Sequence, residues 1–178
     1  MKIYIARHTE TNYNIDTILN SDPSVDVHLT DVGIQQAQDL AQKLAKEDFE
    51  VIFISELSRT RETATYINKY HHVPIIVDKR LNDNATGFEG RPTHEFLAAF
   101  HGSENRWHAK FNDGESLAAA RDRAGDFLND LKTKPYKAVL IVTHGYIVES
   151  IYGILHNLGH EEASAYRLAQ GEFAVFDL

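Results

Sequence analysis

Hydrophobic and polar positions follow two alternating periods along the chain. Short, β-branched runs at residues 3–6, 51–54, 75–77 and 138–142 are bounded by polar or turn residues, as expected of strands buried on both faces of an α/β sheet. Residues 173–176 supply a last strand. Between these runs, Ile34, Ala37, Leu40, Ala41, Leu44 and Ala45 recur at helical spacing after Thr30, a candidate N-cap, which predicts an amphipathic helix over residues 31–47. Ser58 is the candidate cap of a second helix running to about residue 70, closed by His71, His72 and Pro74. Leu117, Ala120, Ala124, Phe127, Leu128 and Leu131 predict a third over residues 116–131, and a fourth follows His144-Gly145 through residues 148–155. No repeat, low-complexity tract or linker divides the chain, so residues 1–178 read as one α/β domain. The least regular stretch, residues 82–113, holds the only tryptophan, Trp107.

Composition narrows the function classes. With 178 residues, 43% hydrophobic and 25% charged, the chain can bury a full core and support a catalytic cleft. A net charge of -8 repels a phosphate backbone, and no basic patch offsets it, so nucleic acid is not an expected partner. Cysteine is absent, which excludes disulfides, thiolate metal sites and cysteine nucleophiles. No histidine–carboxylate cluster has metal-ligand spacing, and no metal or other cofactor is expected. The run at residues 3–6 is far shorter than a signal-peptide core, and no run approaches the roughly 18 apolar residues of a membrane span. The expectation is a cytoplasmic protein with no membrane partner.

Candidate chemistry collects at strand ends, where open α/β sheets bind ligands. Arg7 and His8 follow the first strand, Arg59 and Arg61 the second, and His144 the fourth. Arg59 stands in the first turn of its helix, where the partial positive charge of the helix end disfavours a cation by up to about 1 kcal/mol. A bound anion reverses that penalty. Guanidiniums, two imidazoles and a helix N-terminus together suit a doubly charged tetrahedral anion. The other histidines, His71, His72, His101, His108, His156 and His160, read as surface or capping residues.

The stretches ARHTETNYN, LTDVGIQQA, SELSRTRETA, LNDNATGFEG, NDGESLAAARDR and VTHGYIVES occur in the order and at about the spacing of the histidine phosphatase superfamily, which includes cofactor-dependent phosphoglycerate mutases. The chain resembles that family over roughly its first 150 residues, in several dispersed motifs. The resemblance implies a phosphoglycerate mutase-like fold, a three-layer α/β/α domain with a mostly parallel central sheet. It implies His8 as a nucleophile that becomes phosphorylated, and a phosphate pocket of Arg7, Arg59 and His144. Thr11, Asn14, Thr9 and Gly145 belong to the same implied pocket, and a carboxylate of LNDNATGFEG is the implied proton donor. The chain departs from the family in carrying Thr9 where glycine is usual, which demands a glycine-like backbone from a β-branched residue, and Asp83 where the donor is usually glutamate. Asp83 and Glu89 are both candidates for that donor.

This resemblance implies a metal-independent phosphomonoesterase acting on a small phosphorylated metabolite. A phosphoglycerate mutase is the alternative within enzymes, although only residues 91–113 separate FEG from GES, a short span for a mutase. A non-catalytic phospho-ligand binding domain is the alternative outside enzymes, motivated by Thr9 and Asp83. Residues 82–113 form a lid-like insertion in which Phe88, Arg91, His94, Phe96, Trp107, His108 and Lys110 are candidates to face the leaving group, while Leu97 and Phe100 pack inward on a short amphipathic helix.

Overall fold

Why the strand ends meet is a matter of register. The computed structural model describes residues 1–178. In chain order the elements are β1 (Lys2–Arg7), α1 (Asn12–Ile15), α2 (Asp31–Leu44), β2 (Ile52–Ile54), α3 (Ser58–Asn68), β3 (Ile75–Val77), a 3-10 turn (Lys79–Leu81), α4 (Thr93–Gly102), α5 (Leu117–Leu131), β4 (Ala138–Thr143), α6 (Gly145–Leu155), α7 (His160–Ala163) and β5 (Phe173–Asp177). The sheet order is β3-β2-β4-β1-β5, parallel except for β5, which runs antiparallel to β1 at one edge. Within the β1–β4 pair, Arg7 stands opposite Thr143, and the ladder extends one residue further as His8 N–H donates to Thr143 O at 2.9 Å. His8 and His144 therefore leave adjacent parallel strands side by side.

Alternation along the strands divides the core between two faces. Ile3, Ile5, Val139 and Ile141 pack with Phe127 and Leu128 of α5 and Ile147 and Ile151 of α6. Tyr4, Ala6, Leu140 and Val142 pack with Leu40 and Leu44 of α2 and Ala64 and Ile67 of α3. The result is the expected three-layer α/β/α arrangement, with β4 wholly buried at its centre. Each fully buried isoleucine or leucine stabilises it by roughly 1.5–3 kcal/mol. No helix is long and apolar enough to cross a membrane.

Three details differ from the sequence pattern. Helix α2 ends at Leu44, short of residue 47, and α3 ends at Asn68. Ser58 does not cap α3: it is the first helical residue, its hydroxyl donates to Val27 O, and the cap position is Leu57, which has no side-chain cap. Residues 82–113 are more ordered than their composition suggests. They contain the ten-residue α4, stitched to residues 17–21 by Leu19 N–H to Arg91 O and Thr93 N–H to Thr17 O. Beneath them Phe88, Phe96, Phe100 and Leu117 form a third, small core.

The loop that carries His8 is braced from α2. Thr30 caps that helix by accepting from Gly33 N–H at 2.9 Å, and its own hydroxyl donates to Glu10 Oε1 at 2.7 Å. Gly33 is obligatory here, because a Cβ would lie 2.0 Å from the Glu10 carbonyl oxygen. Gly33→Ala should therefore destabilise the protein by about 1–3 kcal/mol in urea unfolding, although alanine is intrinsically the better helix former by about 1 kcal/mol. A gain in stability would contradict the close packing of the Glu10 carbonyl on α2.

Candidate active site

His8 is 3% exposed, and its Nδ1 lies 2.8 Å from Thr9 O. A carbonyl oxygen can only accept, so Nδ1 carries the ring proton and Nε2 keeps a free lone pair. Burial, and then the charges of Arg59 and Arg7, hold the imidazole pKa well below its usual value, so the ring stays neutral. His144 is wholly buried and lies 5.2 Å from His8 between ring centroids. Its pKa is likewise held well below the usual value, chiefly by burial and the Arg59 charge.

The tautomer of His144 is coupled to a hydroxyl on its far side. Its Nε2 lies 2.9 Å from Ser55 Oγ, while its buried Nδ1 has no hydrogen-bond partner and lies 3.7 Å from Asp83 Oδ2. The Ser55 and Thr60 hydroxyls lie 2.9 Å apart, and with Thr60 donating to Ser55 Oγ the single Ser55 proton is free for His144 Nε2. With the Ser55 proton on His144 Nε2, Nδ1–H becomes a donor on the site side, and an oxyanion there selects that arrangement.

Two guanidiniums complete the site. Arg59, 4% exposed on the first turn of α3, donates to Asn20 Oδ1 at 2.8 Å, Asn20 O at 2.9 Å and Asp83 Oδ2 at 3.3 Å. Arg7 donates to Leu168 O at 3.1 Å and keeps a buried Nε with no partner. Gly145 lies flat against it, where a Cβ would stand 3.3 Å from Arg7 Cζ. Burial depresses both arginine pKa values and Asp83 counters this, but guanidiniums of this kind remain cations. Asp83 is shifted upward by burial, against the pull of Arg59 and Arg7, although 27% of its side chain still reaches solvent. These groups border a cavity of about 210 Å³ whose lining contains Arg7 and Arg59 but only one carboxylate, Asp83. It is the size and sign for a phosphoryl group.

Most of the sequence-derived candidates converge, and some do not. Arg7, His8, Thr11, Asn14, Arg59, Asp83 and Gly145 line the cavity, and His144 lies directly behind it. Asn14 Oδ1 accepts from Thr11 N–H at 3.0 Å and Thr11 Oγ1 at 2.8 Å, which fixes the amide flip and leaves Nδ2 as the free donor end. Thr9 is a correction. Its N–H donates to Thr63 Oγ1 at 3.2 Å and its hydroxyl turns to the same atom, so it belongs to the wall and not to the phosphate cavity. Its φ is not positive, and a β-branched residue sits there without the strain a glycine-like backbone would impose.

Arg61 is exposed and lies outside the site. Glu89 is also exposed, and accepts from Asn20 Nδ2 at 2.7 Å, Ser21 N–H at 2.6 Å and Ser21 Oγ at 2.9 Å. It braces the residue that holds Arg59 and does not line the cavity. Of residues 82–113, Thr93 rather than the aromatic or cationic candidates joins Asp83 in the lining. Leu97 is 43% exposed, not packed inward as expected, whereas Phe100 is buried. Asn20, Ser55 and Tyr13 were missed. No group of three or more histidine, aspartate or glutamate side chains converges in a way that could hold a metal ion.

Known proteins resemble this chain in sequence and in fold. The family model described as histidine phosphatase superfamily (branch 1) matches residues 3–178. A phosphoglycerate mutase-like protein 4 of Arabidopsis thaliana is 32% identical over 190 residues, covering 99% of this chain and 80% of its own. Phosphoserine phosphatase 1 of Hydrogenobacter thermophilus is 28% identical, covering 85% of this chain and 74% of its own. Among solved structures, the alpha-ribazole phosphatase of Shigella flexneri superposes with a TM-score of 0.87 at 26% identity, over 100% of this chain and 91% of its own.

If Ser55 sets the His144 tautomer, Ser55→Ala leaves Nε2 free to take the proton and turns a donor toward the anion into a lone pair. Loss of one charge-assisted hydrogen bond, at roughly 1.5–3 kcal/mol, weakens inorganic phosphate binding about tenfold or more by calorimetry. An unchanged dissociation constant would remove Ser55 from the site.

Proposed function

The chain belongs to the histidine phosphatase superfamily, and on that premise we propose that it hydrolyses small phosphorylated metabolites through a phosphohistidine on His8. The observation that carries this reading is the buried His8 ring, whose Nδ1 proton is committed to Thr9 O while Nε2 remains unprotonated beside two guanidiniums. Nitrogen is then a nucleophile without prior loss of a proton. The names of the relatives support small metabolite esters, since they include phosphoserine and alpha-ribazole phosphatases.

In the first step the Nε2 lone pair forms the bond to phosphorus as the ester P–O bond breaks. Arg7, Arg59 and the His144 Nδ1–H stabilise charge on the equatorial oxygens. The leaving alkoxide takes the proton of the Asp83 carboxyl group, whose raised pKa favours the protonated form. In the second step a water molecule attacks phosphorus, Asp83 carboxylate accepts its proton, and the N–P bond breaks to release phosphate and restore His8. Residues 82–113 serve as the lid, with Thr93 in the cavity lining. No step draws on a metal ion.

A mutase shares the first step and delivers the phosphoryl group to a second alcohol. A relative named phosphoglycerate mutase-like favours it, whereas the short span of residues 91–113 favours hydrolysis. A non-catalytic binding domain loses much of its motivation, because the backbone at Thr9 is ordinary.

Rapid-quench single turnovers test the roles directly. Wild type should accumulate acid-labile, alkali-stable phosphate on protein, and His8→Ala should not. Asp83→Asn should slow phosphoenzyme formation from an alkyl phosphate by roughly 10²- to 10⁴-fold and from p-nitrophenyl phosphate far less, since an electron-poor phenolate departs without a proton. The sign with pH follows. His8 is neutral down to well below pH 6.5, while the Asp83 proton is lost as pH rises, so alkyl ester turnover is best on the acidic side and declines above it. Equal slowing of both substrates would place the acid elsewhere, and full activity in His8→Ala would overturn the nucleophile.

A further inference from the structure

Beside the phosphate-sized cavity lies a second one of about 320 Å³. Chain neighbours divide between the two: Asp83 borders the first and Asn84 the second, and Gly145 the first and Tyr146 the second. Helix α4 bridges them, with Thr93 at the first cavity and Phe96, Leu97 and Phe100 at the second. The second cavity is built of rings. Phe96, Phe100 and Leu117 are buried beneath it, Trp107 stands edge-on to Phe100 at 5.1 Å, and Leu97 lies at its exposed rim. Tyr146 gives its hydroxyl proton to Leu117 O at 2.7 Å, which leaves its ring as the face on offer.

Charge separates this cavity from its neighbour more sharply than shape does. Both arginines here are already committed: Arg167 pairs with Glu149 at 2.8 Å, and Arg106 pairs with Glu161 while lying over the Phe100 and Trp107 rings at 5.5 and 5.6 Å. No guanidinium is left over for a carboxylate, whereas the phosphate cavity has two against one carboxylate. Glu149 itself is pushed up to about 7 by burial despite Arg167 and Arg7, so this wall already disfavours one negative charge. A second would meet the same desolvation.

We propose that the second cavity receives the alcohol half of the substrate and selects an uncharged, ring-bearing alcohol over a short carboxylate-bearing one. The assignment rests on the phosphatase reading for what occupies the first cavity. Its selectivity comes from ring packing and apolar burial, with no ionic contact to the alcohol half.

Non-hydrolysable phosphonates read this subsite apart from catalysis. Titration calorimetry compares 3-phenylpropylphosphonate, the carbon mimic of 2-phenylethyl phosphate, with 2-amino-4-phosphonobutyrate, the carbon mimic of phosphoserine. The phenyl compound should bind roughly 10- to 100-fold tighter, as expected for burying a ring of that area. Leu97→Glu, at the exposed rim, and Trp107→Ala should each bring the ratio of the two dissociation constants toward one. Equal affinities in wild type, tighter binding of the aminophosphonate, or a ratio that neither substitution moves would overturn the proposal. A retained binding preference without turnover of 2-phenylethyl phosphate supports the subsite and counts against the hydrolase reading instead.

Discussion

Two guanidiniums, Arg59 buried and Arg7 half-buried, set against one carboxylate are the constraint on which the rest of the structure depends. Taking a charge out of water costs several kcal/mol even after relaxation, and here Arg7 and Arg59 are both drawn into the wall of one small cavity. Backbone and amide oxygens offset part of that cost: Leu168 O for Arg7, and Asn20 O and Oδ1 for Arg59. Asp83 offsets more, but it cannot neutralise two cations, and Arg7 Nε is left without a partner. The same positive field, added to burial, keeps both imidazoles neutral. A dianion in the cavity would supply the missing charge, which is the electrostatic reason for proposing a phosphoryl site there.

The surrounding structure serves to hold that arrangement still. The parallel pairing of β1 with β4 sets His8 beside His144, and Gly33 lets the carbonyl of Glu10 pack on α2 so that the loop after His8 cannot drift. Glu89 grips Asn20, which in turn grips Arg59, so a residue remote from the cavity orients a guanidinium within it. Ser55 does the same for His144 through the ring nitrogen that faces away from the site. The neighbouring ring-lined cavity carries paired charges, so the alcohol-half preference proposed for it would leave the field of Arg7 and Arg59 undisturbed.

What the sequence made legible was what depends on local pattern or on strand ends. Buried strands and helix faces follow from apolar periodicity, and His8, Arg7, Arg59 and His144 stood out because each follows a strand of a sheet that gathers its carboxyl ends. Contacts between distant segments were not legible. Asn20 reaches Arg59 across 39 residues and Ser55 reaches His144 across 89, and neither carries a periodic signal. Ser58 resembles a cap by composition, but its hydroxyl is taken by Val27, and Arg61 resembles a second phosphate ligand but points to solvent two residues beyond the one that does not. Thr9 illustrates the limit of reasoning by family pattern. The substitution suggested strain or a phosphate contact, and the protein instead uses its hydroxyl to join the strand end to Thr63 on α3.

The electrostatic proposal for the site rests on His8 as a neutral imidazole, its proton directed to Nδ1 by Thr9 O and its charge suppressed by burial and by the two guanidiniums. Ring nitrogen chemical shifts in ¹⁵N-histidine-labelled protein report both the protonation state and the tautomer of His8, with His8→Asn used to assign its signals. At pH 6 without phosphate, the expected spectrum shows a neutral ring protonated at Nδ1, and added phosphate raises its pKa. A cationic His8 ring at pH 6 in the absence of an anion, or a neutral ring protonated at Nε2, would contradict the electrostatic basis proposed for the site.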